Sequence, residues 1–111
     1  MMLHAVILHY QCRKEELTVH LEGHKTWLIN GMSSGKVIFA GPLSDNRGGF
    51  ILLDGENEEH VVQYMQTDPF VDYHLVSVTI YSIEPAMIAQ GFAEKWAPTA
   101  KVIAASGPGG S

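Results

Sequence analysis

Lys36-Val37-Ile38-Phe39-Ala40-Gly41-Pro42 and, after the turn-rich Ser44-Asp45-Asn46-Arg47-Gly48-Gly49, Phe50-Ile51-Leu52-Leu53 decide the fold. Each apolar run is too short for an ordinary helix and rich in β-branched or aromatic residues, so Lys36 to Ala40 and Phe50 to Leu53 read as strands. Gly41-Pro42 stops the first, and the polar cluster that follows supplies the turn of a hairpin with a longish loop. The flanks of this hairpin mirror one another. Upstream, Leu3 to Tyr10 is another short apolar run. Lys14 to Asn30 then carries Leu17, Leu21, His24 and Leu28 on one helical stripe before Asn30-Gly31, a helix-stop pair. Downstream, Glu56, Glu58 and Glu59 sit where a helix start favours negative charge, with Val61, Val62 and Met65 facing inward. That helix must stop near Thr67, because Pro69 pushes Asp68 out of the α region. Leu75 to Ile83 supplies the last strand. The order β-α-β-β-α-β predicts an α+β, ferredoxin-like protomer over residues 1–84.

The remaining residues, 85–111, change character. Ile88, Phe92 and Trp96 step by four and predict a short amphipathic helix, interrupted at Gly91 and ended before Pro98, and the small, Gly-rich stretch from Ala104 onward predicts a flexible tail.

Two helices cover one face of such a sheet. Yet the first three strands are apolar on both: Ile7 against Val6 and Leu8, Val37 and Phe39 against Ile38, Ile51 and Leu53 against Phe50 and Leu52. A wet face would alternate with polar residues. The reading is therefore a homodimer, in which a second copy of the sheet closes a dimeric α/β barrel.

Composition limits the partners. With 111 residues, 46% of them hydrophobic, the chain has enough apolar material for one core. Seven basic against twelve acidic residues, a net charge of −5 and no Lys/Arg cluster argue against a nucleic-acid groove. No run approaches the length of a membrane span, the apolar start lacks a basic n-region, and a single cysteine, Cys12, fits a reducing compartment. A small cytoplasmic domain with a small-molecule substrate and no membrane partner is the expectation.

Of six histidines, His24 alone falls on the apolar stripe of the first helix. An imidazole there is either a core residue bonded to a carbonyl or a working group. Asp68, caught between the end of the second helix and a proline, is either a turn-former or a carboxylate held at a fixed place. In this topology both helices lie on one side of the sheet, so the first helix and the exit of the second meet at one end. His20 and His24 have the spacing of a zinc pair, but His20-Leu21-Glu22-Gly23-His24 does not reproduce HExxH, and no metal is expected. Nor is there a GxGxxG, P-loop or CxxC, so no cofactor is expected. Arg47 reads as an anion-binding or solvated loop residue, and Trp27 and Phe70 as ring-stacking or core residues. His9 is the other histidine best placed to reach a cleft.

His24-Lys25-Thr26-Trp27-Leu28, Gly35, Ala40-Gly41-Pro42-Leu43, Gly48-Gly49 and Asp68-Pro69-Phe70, in this order and with compatible spacing, resemble the YCII-related family of small dimeric proteins over roughly residues 3–84. The resemblance implies a dimeric α/β barrel and a His-Asp active pair, which falls on His24 and Asp68. Gly41, Pro42, Leu43, Gly48 and Gly49 would then line the cleft. It further implies a lyase, most concretely a dehydrochlorinase of a chlorinated hydroxyhydroquinone. The alternatives are an isomerase of a lactone or other intermediate of aromatic breakdown, and a non-catalytic module that binds a small metabolite. In such a pair the carboxylate fixes the imidazole tautomer and strengthens it as a proton acceptor, so that its other nitrogen can take a proton from a phenol.

Overall fold

The computed structural model describes residues 2–106, so the end of the expected flexible tail, residues 107–111, lies outside the described residues. The elements run β1 (Met2–Tyr10), α1 (Lys14–Ser33), β2 (Val37–Pro42), β3 (Gly48–Gly55), α2 (Glu58–Met65), α3 (Pro69–Asp72), β4 (Val76–Ile83), β5 (Met87–Ala89) and β6 (Lys101–Ile103). The first four strands form one sheet in the order β2-β3-β1-β4, every neighbour antiparallel. β1 and β2, joined through α1, therefore run parallel with β3 inserted between them. This is the split β-α-β arrangement of a ferredoxin-like α+β fold. Among the described residues no helix is long and apolar enough to cross a membrane.

The core lies between the sheet and the helices. Val6 and Leu8 of β1, Ile51 and Leu53 of β3 and Val37 of β2 meet Trp27, Val61, Met65 and Phe70 from the helical layer. His4, on the same side of β1, is sealed. Its Nδ1 accepts from Ser82 Oγ at 2.9 Å and its Nε2 donates to the Gly55 carbonyl at 3.3 Å, so a neutral imidazole is satisfied within the core.

Several boundaries differ from those expected. Gly31 does not stop α1, which continues to Ser33. A Cβ on Gly31 would stand 2.5 Å from the Tyr64 hydroxyl and from Val37 Cγ2, so this glycine serves close packing. The stop comes at Gly35, at φ +82: its N–H donates to Met32 O, and Lys36 N–H donates to Gly31 O, which together make a Schellman cap. Phe39 does not share Val37's face. A bulge between the two pairs Phe39 with Leu52, leaving the phenyl ring on the outer face and Ala40 with Ile51 on the inner one. Asp68-Pro69 ends α2's neighbourhood as expected but also starts α3, because aspartate at the cap and proline at the first turn begin a helix as readily as they end one.

The amphipathic helix expected at Ile88, Phe92 and Trp96 is not formed. Ile88 lies in β5, which pairs in parallel with β6, and the helical content nearby is one 3₁₀ turn at Glu94–Trp96. Gly91, at φ +106, breaks the helical stripe between Ile88 and Phe92.

Among the described residues, α1, α2 and α3 pack on the inner face of the main sheet. On the outer face, Phe39, Tyr81 and Ile83 are 51%, 58% and 45% exposed, and Ile7, Phe50 and Leu52 are half-buried.

Candidate active site

α1 presents His24 toward the exit of α2, and α3 holds Asp68 to receive it. His24 Nδ1 lies 2.8 Å from Asp68 Oδ1. The imidazole side chain is 13% exposed and the aspartate fully buried. As the cap of α3, Asp68 also accepts the Phe70 N–H at 3.1 Å on the same Oδ1, and its carbonyl receives the Val71 and Asp72 N–H groups. Its rotamer is thus set by backbone on one side and imidazole on the other.

An ionised carboxylate only accepts, so Nδ1 carries the proton of this bond and Nε2 keeps its lone pair. Nε2 makes no hydrogen bond among the described residues and is not sealed from solvent. Asp68 Oδ2, by contrast, is sealed and unpartnered. The Asp68 charge also reaches Tyr64, whose phenol is pushed up by burial first and by Asp68 second.

His24 lines a cleft of about 410 Å³ between α1 and the β2–β3 edge, together with Leu21, Leu28, Met32, Pro42, Gly49 and Phe70 among others. This size suits one aromatic ring with its substituents. Of the residues expected around the cleft, Gly41, Pro42, Gly49 and Phe70 line it, and Arg47 lines an adjoining cavity. Four others stand elsewhere. Trp27 is buried, with its Nε1 donating to Thr67 Oγ1 at 2.8 Å and its ring stacked on Tyr64, so it is a core residue. Leu43 caps the hairpin turn, its N–H donating to Gly48 O, and does not line the cleft. Gly48 is buried against the Leu8 carbonyl, where no Cβ would fit. His9 is exposed on the outer face, since β1 alternates and Val6, Leu8 and Tyr10 take the inner one. Phe70 contacts the histidine and not only the cleft: its ring stacks on His24.

Tyr10, Lys14 and Lys25 also line the cleft or the cavity beside it and were not singled out in the sequence. For Tyr10 the signal was present, because it continues the inward alternation of β1 one step past Leu8. His20 stacks on Tyr73, with 4.0 Å between ring centroids, and does not join the pair. Among the described residues no group of three metal-ligating side chains forms. Cys12 is unpaired, and its thiol is pushed up by burial and then by Glu16, which keeps it protonated and a poor nucleophile.

A split β-α-β sheet with a tautomer-locked imidazole at the mouth of a cleft defines a ferredoxin-like protein with a candidate acid–base site. The chain belongs to the YCII-related family, whose domain matches residues 2–85. Among solved structures it is similar to 5-chloro-2-hydroxyhydroquinone dehydrochlorinase (TftG) from Burkholderia phenoliruptrix AC1100 in complex with 2,5-dihydroxybenzoquinone. That likeness has a TM-score of 0.54 at 20% identity, over 73% of this chain and 91% of that one. No curated protein sequence matches the chain.

Proposed function

We propose that this protein is a cytoplasmic lyase acting on a hydroxylated aromatic ring, with His24 as general base and acid and Asp68 as its orienting partner. The most concrete reaction is dehydrochlorination of a chlorinated hydroxyhydroquinone to a hydroxybenzoquinone. One observation carries the reading: the 2.8 Å bond from His24 Nδ1 to a buried carboxylate leaves Nε2 without a partner among the described residues, on an imidazole that lines a ring-sized cleft. The likeness of fold to a dehydrochlorinase supports the choice of substrate class.

The chemistry balances on these residues. Nε2 takes the proton of a ring hydroxyl, and the electron pair moves into the ring as that C–O becomes a carbonyl. The imidazolium, held by its bond to Asp68, returns the proton to the carbon that bears chlorine, giving the keto tautomer. Loss of a second hydroxyl proton to Nε2 then expels chloride. The electron pair that the ring loses departs with chloride, so quinone and HCl form with no external oxidant.

We also propose that the working form is a homodimer, in which the outer face around Phe39, Tyr81 and Ile83 packs on its counterpart in a second copy.

The test of the reaction is chloride release from a chlorinated hydroxyhydroquinone. His24→Ala and Asp68→Asn should each lower turnover by at least about a hundredfold, the lower end for lost acid–base catalysis, while far-UV dichroism stays unchanged. Normal turnover in both variants would remove the proposed roles. Conversion of the substrate with chlorine retained would assign proton transfer alone, that is, an isomerase.

A further inference from the structure

The cleft beside His24 does not end at the imidazole. Tyr10, Leu21, Pro42 and Phe70 line both the His24 chamber and a second cavity of about 660 Å³, bounded by the start of α1 and the β2–β3 loop. The two chambers differ in character. Walls near His24 are mostly aliphatic. Those of the second include Lys14 and Arg47, with Asn46 and Thr18 beside them and no carboxylate among the lining residues.

Neither cation forms a salt bridge among the described residues. In a chain of net charge −5, Lys14 and Arg47 bring two cations to one cavity wall. The loop also anchors Arg47 at its backbone. Its N–H donates to Asp45 Oδ1 at 2.9 Å, and its carbonyl accepts from Tyr10 N–H at 2.9 Å. A guanidinium matches the two oxygens of a carboxylate, and an ammonium adds a point charge that needs no fixed geometry.

We infer that the substrate carries an anionic substituent of the carboxylate class, held by Lys14 and Arg47 in the second cavity, which sets its hydroxylated ring against His24 Nε2. The inference rests on the reading of the His24 cleft above and adds the attachment point that separates an acidic aromatic from a neutral polyphenol. Tyr10 and Phe70, edge to face with 6.5 Å between centroids, form the wall along which ring and anionic arm would lie.

The experiment compares 2,5-dihydroxyphenylacetate with its methyl ester, which keeps the ring and removes the charge. Calorimetry gives the affinities, and NMR of histidine-labelled protein reports contact at His24. The acid should bind wild type at least about tenfold tighter than the ester, as expected for charged hydrogen bonds, and both should shift the His24 ring signals. The Lys14→Met/Arg47→Met double variant should lose the preference for the acid and keep the affinity for the ester. Raising the salt should weaken the acid and leave the ester unchanged. Equal affinities in wild type, or a preference that survives in the double variant, would overturn the anionic site while the His24 reading stands. If neither compound moves the His24 signals, the His24 reading itself fails and takes the anionic site with it.

Discussion

The phenyl ring of Phe70 lies flat on the imidazole of His24, 4.0 Å between centroids and 6° from parallel, while its own backbone N–H donates to the carboxylate that His24 binds. One residue thus braces both members of the pair, the imidazole through its face and the carboxylate through its amide. Replacing the side chain separates the two supports, because the amide remains. Phe70→Leu should keep the cap bond and cost about 0.5–1.5 kcal/mol for the lost ring contacts. A misaligned imidazole should still lower turnover by up to about a hundredfold. Chloride release and urea unfolding measured on the same preparation check this. Unchanged turnover with the expected loss of stability would reduce Phe70 to a core residue.

Gly31 makes a prediction against the usual rule. Gly to Ala inside a helix ordinarily stabilises by about 1 kcal/mol. Here the new methyl would sit 2.5 Å from the Tyr64 hydroxyl and Val37 Cγ2. Gly31→Ala should therefore destabilise, by about 1–3 kcal/mol as overpacked sites do. Adding Val37→Ala should recover part of that loss, a coupling that a double-mutant cycle in urea measures.

These two residues also mark where the sequence is legible and where it is not. The β-α-β-β-α-β order follows from short apolar runs, turn chemistry and helical spacing, each a local signal. Asp68 stood out for its place before Pro69, and His24 for its place on an apolar stripe. Their meeting depends on both helices sharing a face of the sheet, which the element order implies. What local signals cannot carry is packing. Leu17, Leu21, His24 and Leu28 looked like the buried stripe, but the deepest positions of α1 are Trp27 and Gly31, and the leucines instead stay half-buried. Val37-Ile38-Phe39 is apolar throughout, so either register satisfies its pattern and the bulge left no trace. Asp-Pro serves both to end and to begin helices, which hid α3. The cleft wall at Lys14 and Arg47 joins residues from two distant segments, each unremarkable where it stands in the chain.

The exposed outer face leads to a test of assembly. Phe39 and Tyr81 project from it on β2 and β4, away from the core and the His24 cleft. Sedimentation should give twice the 12.2 kDa protomer mass for wild type. Phe39→Asp combined with Tyr81→Asp should give the protomer, because like charges would then meet across a desolvated interface. Far-UV dichroism should be unchanged, since neither ring supports the core. A wild-type chain that sediments as a protomer at all concentrations would refute the barrel.

Tyr64 supplies a pH test of the buried charge on Asp68. Its phenol is pushed up by burial first and by the Asp68 carboxylate second, so the folded protein holds that proton to higher pH than the unfolded chain does. For a group raised in this way, the folded state binds more protons than the unfolded one once pH exceeds the unfolded value of about 10. Stability is therefore fully present below that pH and falls as pH rises through the folded value. Urea unfolding of wild type should show the decline above about pH 10, the unfolded phenol's value. Tyr64→Phe, which removes the ionisable oxygen but keeps the ring stacked on Trp27, should show a shallower decline. Asp68→Asn removes one of the two causes and leaves burial, so its decline should begin at the same unfolded value but level off at a lower pH, with a total loss between those of wild type and the phenylalanine variant. Identical alkaline profiles for wild type and Asp68→Asn would mean that the carboxylate's field does not reach Tyr64 and that burial alone acts there.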